Sequence, residues 1–106
     1  MPQLQPGKVE NIEPVWYVNG NPVSTTGATV TLREWSTGVA QYWTGTAWTS
    51  TPTALPLSGG RYLLTIPDGW DGLVVEVICS LTGQPDLTDE LVIQAPTESL
   101  YGGRLG

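Results

Sequence analysis

The side chains able to do chemistry are few and sit where turns are expected. Asp68 and Asp71 fall in Pro67-Asp68-Gly69-Trp70-Asp71-Gly72, and Asp86, Asp89 and Glu90 follow Gly83-Gln84-Pro85. Loops gathered at one end of a sandwich could join such carboxylates into a calcium cage or an acid/base pair. No EF-hand spacing is present, and the plainer reading is turn formation, since Asp68 and Asp71 each precede a glycine. Histidine is absent, which removes the commonest general base, the usual triad and histidine-containing metal sites. Cys79 is the sole cysteine, so no intrachain disulfide can form. As a nucleophile it would have to be exposed beside a base, whereas its place in the alternation makes it a small buried apolar group. The expectation is a non-enzymatic chain with no catalytic residue, no cofactor and no bound metal.

The five tryptophans say more. Gln41-Tyr42-Trp43-Thr44-Gly45-Thr46-Ala47-Trp48 reads as a hairpin turning at Thr44-Gly45. In that register Trp43 faces Thr46, Gln41 faces Trp48, and the two indoles share one sheet face on a diagonal. Such a face could stack on a sugar or pack on a neighbouring subunit. The plainer reading is that both rings cover the domain's own core. Trp16 and Trp35 read as core or sheet-edge residues. Trp70, in its Asp/Gly-rich loop, reads as the exposed contact.

The elements that must hold these residues are strands. Nine prolines and thirteen glycines leave no clean window for a ten-residue helix. In Ala28–Arg33 the inward set is Ala28, Val30 and Leu32. In Tyr62–Ile66 it is Tyr62, Leu64 and Ile66. In Leu73–Cys79, Glu76 marks the outward face, leaving Leu73, Val75, Val77 and Cys79 inside. Further strands are expected over Ile12–Val18, Val39–Trp43, Thr46–Ser50 and Glu90–Gln94. Turn residues separate them at Asn19–Pro22, Ser58–Gly60, Pro67–Gly69 and Gly83–Asp86. About seven short strands without helices imply an all-β fold, an antiparallel β-sandwich over residues 11–95. Residues 1–10 and 96–106 lack a period and read as extended arms.

At 106 residues the chain suits one domain with one modest core. Only 13% of residues are charged, and the net charge is −6. Lys8, Arg33, Arg61 and Arg104 are scattered, so neither phosphate backbones nor anionic lipid are expected partners. The first residues have no signal-peptide pattern and no run reaches membrane-helix length. Synthesis in a cytoplasm is expected, with any exit by another route such as lysis within a virus particle.

Tyr42-Trp43-Thr44-Gly45-Thr46-Ala47-Trp48, followed by Ser58-Gly59-Gly60-Arg61-Tyr62 and Leu64-Thr65-Ile66-Pro67, resembles the Ig-like β-sandwich modules of bacterial surface proteins and of tailed-bacteriophage structural proteins. The likeness covers roughly residues 12–94 and marks a hairpin rather than a ligand site. It implies an architectural role: a virion protein, foremost a head decoration or cement protein, or else a tail or neck accessory. Its partners would be major capsid or tail and neck proteins, with a homo-oligomer also open. The contact residues expected are Trp43, Trp48 and Trp70 on the sandwich and Leu100, Tyr101, Arg104 and Leu105 on the C-terminal arm. The rival is a carbohydrate-binding module stacking sugars on Trp43, Trp48 or Trp70.

Overall fold

The computed structural model describes residues 4–94. Leu100, Tyr101, Arg104 and Leu105, with the rest of the expected C-terminal arm, lie outside the described residues.

The pattern of two becomes a sandwich because each strand has one apolar face to bury. Ten strands form among the described residues: β1 (Val9–Ile12), β2 (Tyr17–Val18), β3 (Asn21–Pro22), β4 (Thr29–Glu34), β5 (Gln41–Trp43), β6 (Trp48–Thr49), β7 (Leu55–Pro56), β8 (Tyr62–Thr65), β9 (Val74–Ser80) and β10 (Leu87–Val92). The larger antiparallel sheet runs β10-β9-β4-β5-β6, with β7 also paired to β4. β1 and β8 form a second, two-stranded sheet, and β2 and β3 a small hairpin. Ile12, Leu64 and Ile66 from the smaller sheet side meet Val30, Leu32, Val75, Val77 and Cys79 of the larger one in a single core.

The predicted inward sets hold. Ala28, Val30, Leu32, Leu64, Ile66, Val75, Val77 and Cys79 are buried, and Tyr62 and Leu73 pack half-buried against them. Burial of Val30, Leu32 and Val75 is complete. Each such side chain contributes about 1.5–3 kcal/mol relative to exposure.

Several strand boundaries differ from expectation: β5 and β6 are shorter than Val39–Trp43 and Thr46–Ser50, β7 falls where no strand was expected, and three further differences have clear causes. Ile12–Val18 is not one strand: β1 stops at Ile12, and Pro14 has no N–H to continue a ladder. Burial nevertheless keeps its period of two through Ile12, Pro14 and Trp16, so the backbone stays extended after it leaves the sheet. Tyr17 and Val18 then turn through Asn19 and Gly20 (φ 52° and 81°) into β3, the paired positive φ that a tight two-residue hairpin requires. Finally, β10 starts at Leu87, three residues before the expected Glu90. Asp89 on the inward face interrupts the apolar pattern and conceals that start.

Residues 4–10, expected within the N-terminal arm, are engaged with the sandwich. Leu4 bridges Ile93 in parallel, its carbonyl accepting from the Gln94 N–H at 2.7 Å. Gly7 N–H donates to the Ile66 carbonyl at 2.7 Å, and Ile66 N–H to the Lys8 carbonyl at 2.8 Å. The chain therefore crosses from the larger sheet's β10 edge to the smaller sheet before entering β1.

Candidate functional site

The two outer edges of the larger sheet carry the features that could make contacts. At the β5–β6 edge the hairpin turns one residue later than predicted. Gly45 and Thr46 are its central residues, Thr44 N–H donates to the Ala47 carbonyl at 2.9 Å, and Trp43 faces Trp48 directly. The reason is local. Gly45 takes φ 105° at the first central position, which two-residue hairpin turns of the II′ kind reserve for glycine. Thr44 Oγ1 also accepts from the N–H groups of Thr46 and Ala47 at 3.3 and 3.1 Å. The expected pairs Trp43 with Thr46 and Gln41 with Trp48 are thus replaced, but both indoles keep the same face.

That face is closed by Trp70. Ring centroids of Trp43 and Trp48 lie 5.2 Å apart, those of Trp43 and Trp70 5.0 Å, and those of Trp48 and Trp70 5.0 Å. The first two pairs meet edge to face, an arrangement favoured by the ring quadrupole. Trp43 and Trp70 are buried and Trp48 is half-buried. The expectation of an exposed Trp70 is therefore corrected. Its loop is pinned back by Gly72 N–H to the Ile93 carbonyl at 3.0 Å and Leu73 N–H to the Trp70 carbonyl at 3.0 Å. Asp68 and Asp71 stay exposed on either side of the inserted ring. Trp43 and Trp70 thus present little surface for a sugar to stack on, and Trp48 is the most accessible of the three.

Trp16 is core, as expected, and its Nε1–H donates to the Pro85 carbonyl at 2.6 Å, tying the extended 12–16 segment to the turn before β10. Trp35 is the exception. It is 52% exposed, just past the end of β4. Its Nε1–H donates to Glu76 Oε1 at 2.9 Å, and the Arg33 guanidinium lies 5.5 Å from its ring centre. Arg33 Nε also donates to Glu76 Oε1, at 2.6 Å. The bonds from Arg33 and then Trp35 hold the Glu76 carboxyl below its ordinary value, while Glu76 and, secondarily, Tyr42 raise the Arg33 guanidinium. Alternation offered the signal that Glu76 faces outward beside Arg33, but not that Trp35 would join them.

At the opposite edge, β10 pairs with β9 on one side and, among the described residues, has no strand on its outer side over Leu87–Leu91. Between it and Glu10–Pro14 lies a groove of about 320 Å³. Its floor is apolar, with Ile12, Val77, Cys79, Leu87 and Leu91, and three carboxylates (Glu10, Glu13 and Asp89) stand along it. Register makes two of these face inward: Asp89 pairs with inward Val77, and Glu10 lies two residues before buried Ile12. Cys79 is buried here, its thiol pushed up by desolvation and, secondarily, by the Asp89 charge. That opposes thiolate formation and nucleophilic use.

Glu34 continues the inward set of β4 and is buried, its Oε1 accepting from the Ser36 N–H at 2.6 Å. Extending the period of two past Leu32 would have revealed it. Among the described residues, no three His, Cys, Asp or Glu side chains come together as ligands for an ion. No helix among them is long and apolar enough to cross a membrane. Comparison with family models, curated proteins and solved structures finds no match.

Proposed function

We propose that this chain is a structural protein of a tailed-bacteriophage virion, a head decoration or cement protein or a tail or neck accessory, working by non-covalent contact and not by catalysis. The observation that carries the reading is the contrast in the sandwich surface. The large aromatic side chains at one sheet edge are engaged with one another, while the opposite edge offers a bare strand, β10, beside a groove. A bare strand is the natural acceptor for an extended arm, backbone to backbone, and repetition over a symmetric shell sums modest contacts into firm attachment. The Ig-like form of the sandwich is supported by the order β10-β9-β4-β5, in which the last strand is at the edge and the next-to-last beside it, as in variable-type Ig sheets.

Deleting residues 97–106 tests the arm's part in this. Fold and melting temperature of the free domain should change little, whereas attachment to particles lacking the protein should weaken. Undiminished attachment would move the contact to the sandwich surface.

The carbohydrate-binding reading is supported by a different residue from those expected, the exposed Trp35 beside Arg33 and Glu76. A saturable oligosaccharide-induced change in tryptophan fluorescence, lost in Trp35→Ala, would favour it over the virion reading.

A further inference from the structure

The β10 edge joins three observations that otherwise stand apart. First, the groove's apolar floor includes Leu87 and Leu91, four residues apart on one face of a strand and so about 13 Å apart. Second, its carboxylates Glu10, Glu13 and Asp89 have no basic residue among the groove's lining. Third, the sequence beyond Gln94 contains Leu100-Tyr101-Gly102-Gly103-Arg104-Leu105. In an extended chain Tyr101 and Leu105 share a face at the same four-residue spacing, and Arg104 points the other way.

We propose that the groove between β1 and β10 accepts residues 100–105 of a second copy of this chain, Tyr101 and Leu105 over Leu87 and Leu91, and Arg104 against the carboxylate rim. The inference rests on the arm reading above and names what the arm contacts.

A second copy is favoured over the chain's own return by the placement of Leu4. The Gln94 N–H is bonded to the Leu4 carbonyl, while the Ile93 N–H is taken by Leu73 on the β9 side. The residue-4 segment therefore already lies along the free side of β10 where the chain leaves it. A tight hairpin back along β10 would have to displace that segment, but the groove of another copy is open. The twelve residues 95–106 can span roughly 40 Å when extended, ample to reach a neighbour. Reciprocal exchange between two copies closes the assembly as a dimer.

Light scattering on the purified full chain over a broad concentration range should show a mass rising from 11.4 kDa to twice that value or more. Deleting residues 97–106 should leave the mass of a single truncated chain at every concentration, and excess synthetic peptide of residues 95–106 should return the full chain to a monomer. Arg104→Glu should weaken association about tenfold or more, and adding Glu13→Arg, at the groove's exposed rim, should restore much of the loss. Circular dichroism on each variant separates a lost contact from a lost fold. A full chain that stays at 11.4 kDa throughout overturns the proposal, and the inward carboxylates then serve to keep the edge unpaired. An assembly that survives the deletion also overturns it, as does peptide binding by the truncated domain when the full chain is monomeric. A monomeric full chain that still attaches to particles through residues 97–106 would refute the second copy alone and leave the proposed function standing.

Discussion

At the β5–β6 edge of the larger sheet three indoles converge within 5.2 Å of one another, and the loop carrying Trp70 folds back to complete them. At the β10 edge the corresponding space is a groove of about 320 Å³, with Asp89 and Glu10 turned toward it where apolar side chains would close it. Both edges belong to one sheet and share one core, so the difference lies in side-chain choice. Indoles at one edge bury large apolar area and stabilise the domain. Carboxylates at the other need water or a partner of opposite charge, so they keep the seam open. Stability is thus concentrated away from the edge best suited to contacts.

Truncating the indoles should break this comparison most sharply. Trp70→Ala leaves Trp43 and Trp48 facing a void, and the loss should be about 3–5 kcal/mol. At roughly 4–8 °C per kcal/mol, thermal unfolding should shift by more than about 12 °C. Asp89→Ala at the other edge should stay within about 0.5 kcal/mol of the parent. Comparable losses at both edges would end the distinction.

Cys79 gives an intermediate effect that reports on the floor of the open groove. A thiol reagent should label it slowly in the native protein and quickly in denaturant. Burial and Asp89 raise its folded-state value above the ordinary 9.0, so the folded chain keeps a proton that the unfolded chain releases. The associated stability is complete below pH 9 and is lost as pH climbs through the raised value. The melting temperature should fall more steeply above pH 9 in the parent than in Cys79→Ala. Tyr62, raised from 10.0 by burial, contributes with the same sign at higher pH and is common to both proteins. Equal slopes would mean that Cys79 is not buried in solution.

Between the edges, the Arg33–Glu76 pair is the smallest test. It is partly exposed, and Glu76→Gln should cost only about 0.2–1 kcal/mol, less in high salt. The Glu76 value is lowered, so the pair's contribution is present above the ordinary 4.5 and fades as pH falls through the folded value. Trp35 emission should change over the same interval, since its N–H bonds to that carboxylate.

What the sequence made legible follows from the range of each interaction. The period of two in β4, β8 and β9 is local, and it identified the core residues correctly down to Cys79. The hairpin was legible, but its register depended on which side of Gly45 the turn was centred, decided by one φ and the Thr44 hydroxyl. Trp70 looked exposed because its neighbours are Asp and Gly. Its burial comes from rings more than twenty positions away, which no local pattern reports. The groove was invisible for the same reason, because it exists only once β1 and β10, in different sheets, are placed side by side.

The central claim is that contacts run through the β1–β10 seam of a particle-bound protein, and hydrogen–deuterium exchange on free and particle-attached chains tests it most directly. Relative to free chain diluted to its monomer, attachment should slow exchange over residues 10–13 and 87–91 and leave residues 41–49 unchanged. Protection confined to residues 41–49, or a chain that does not associate with particles at all, would contradict the account.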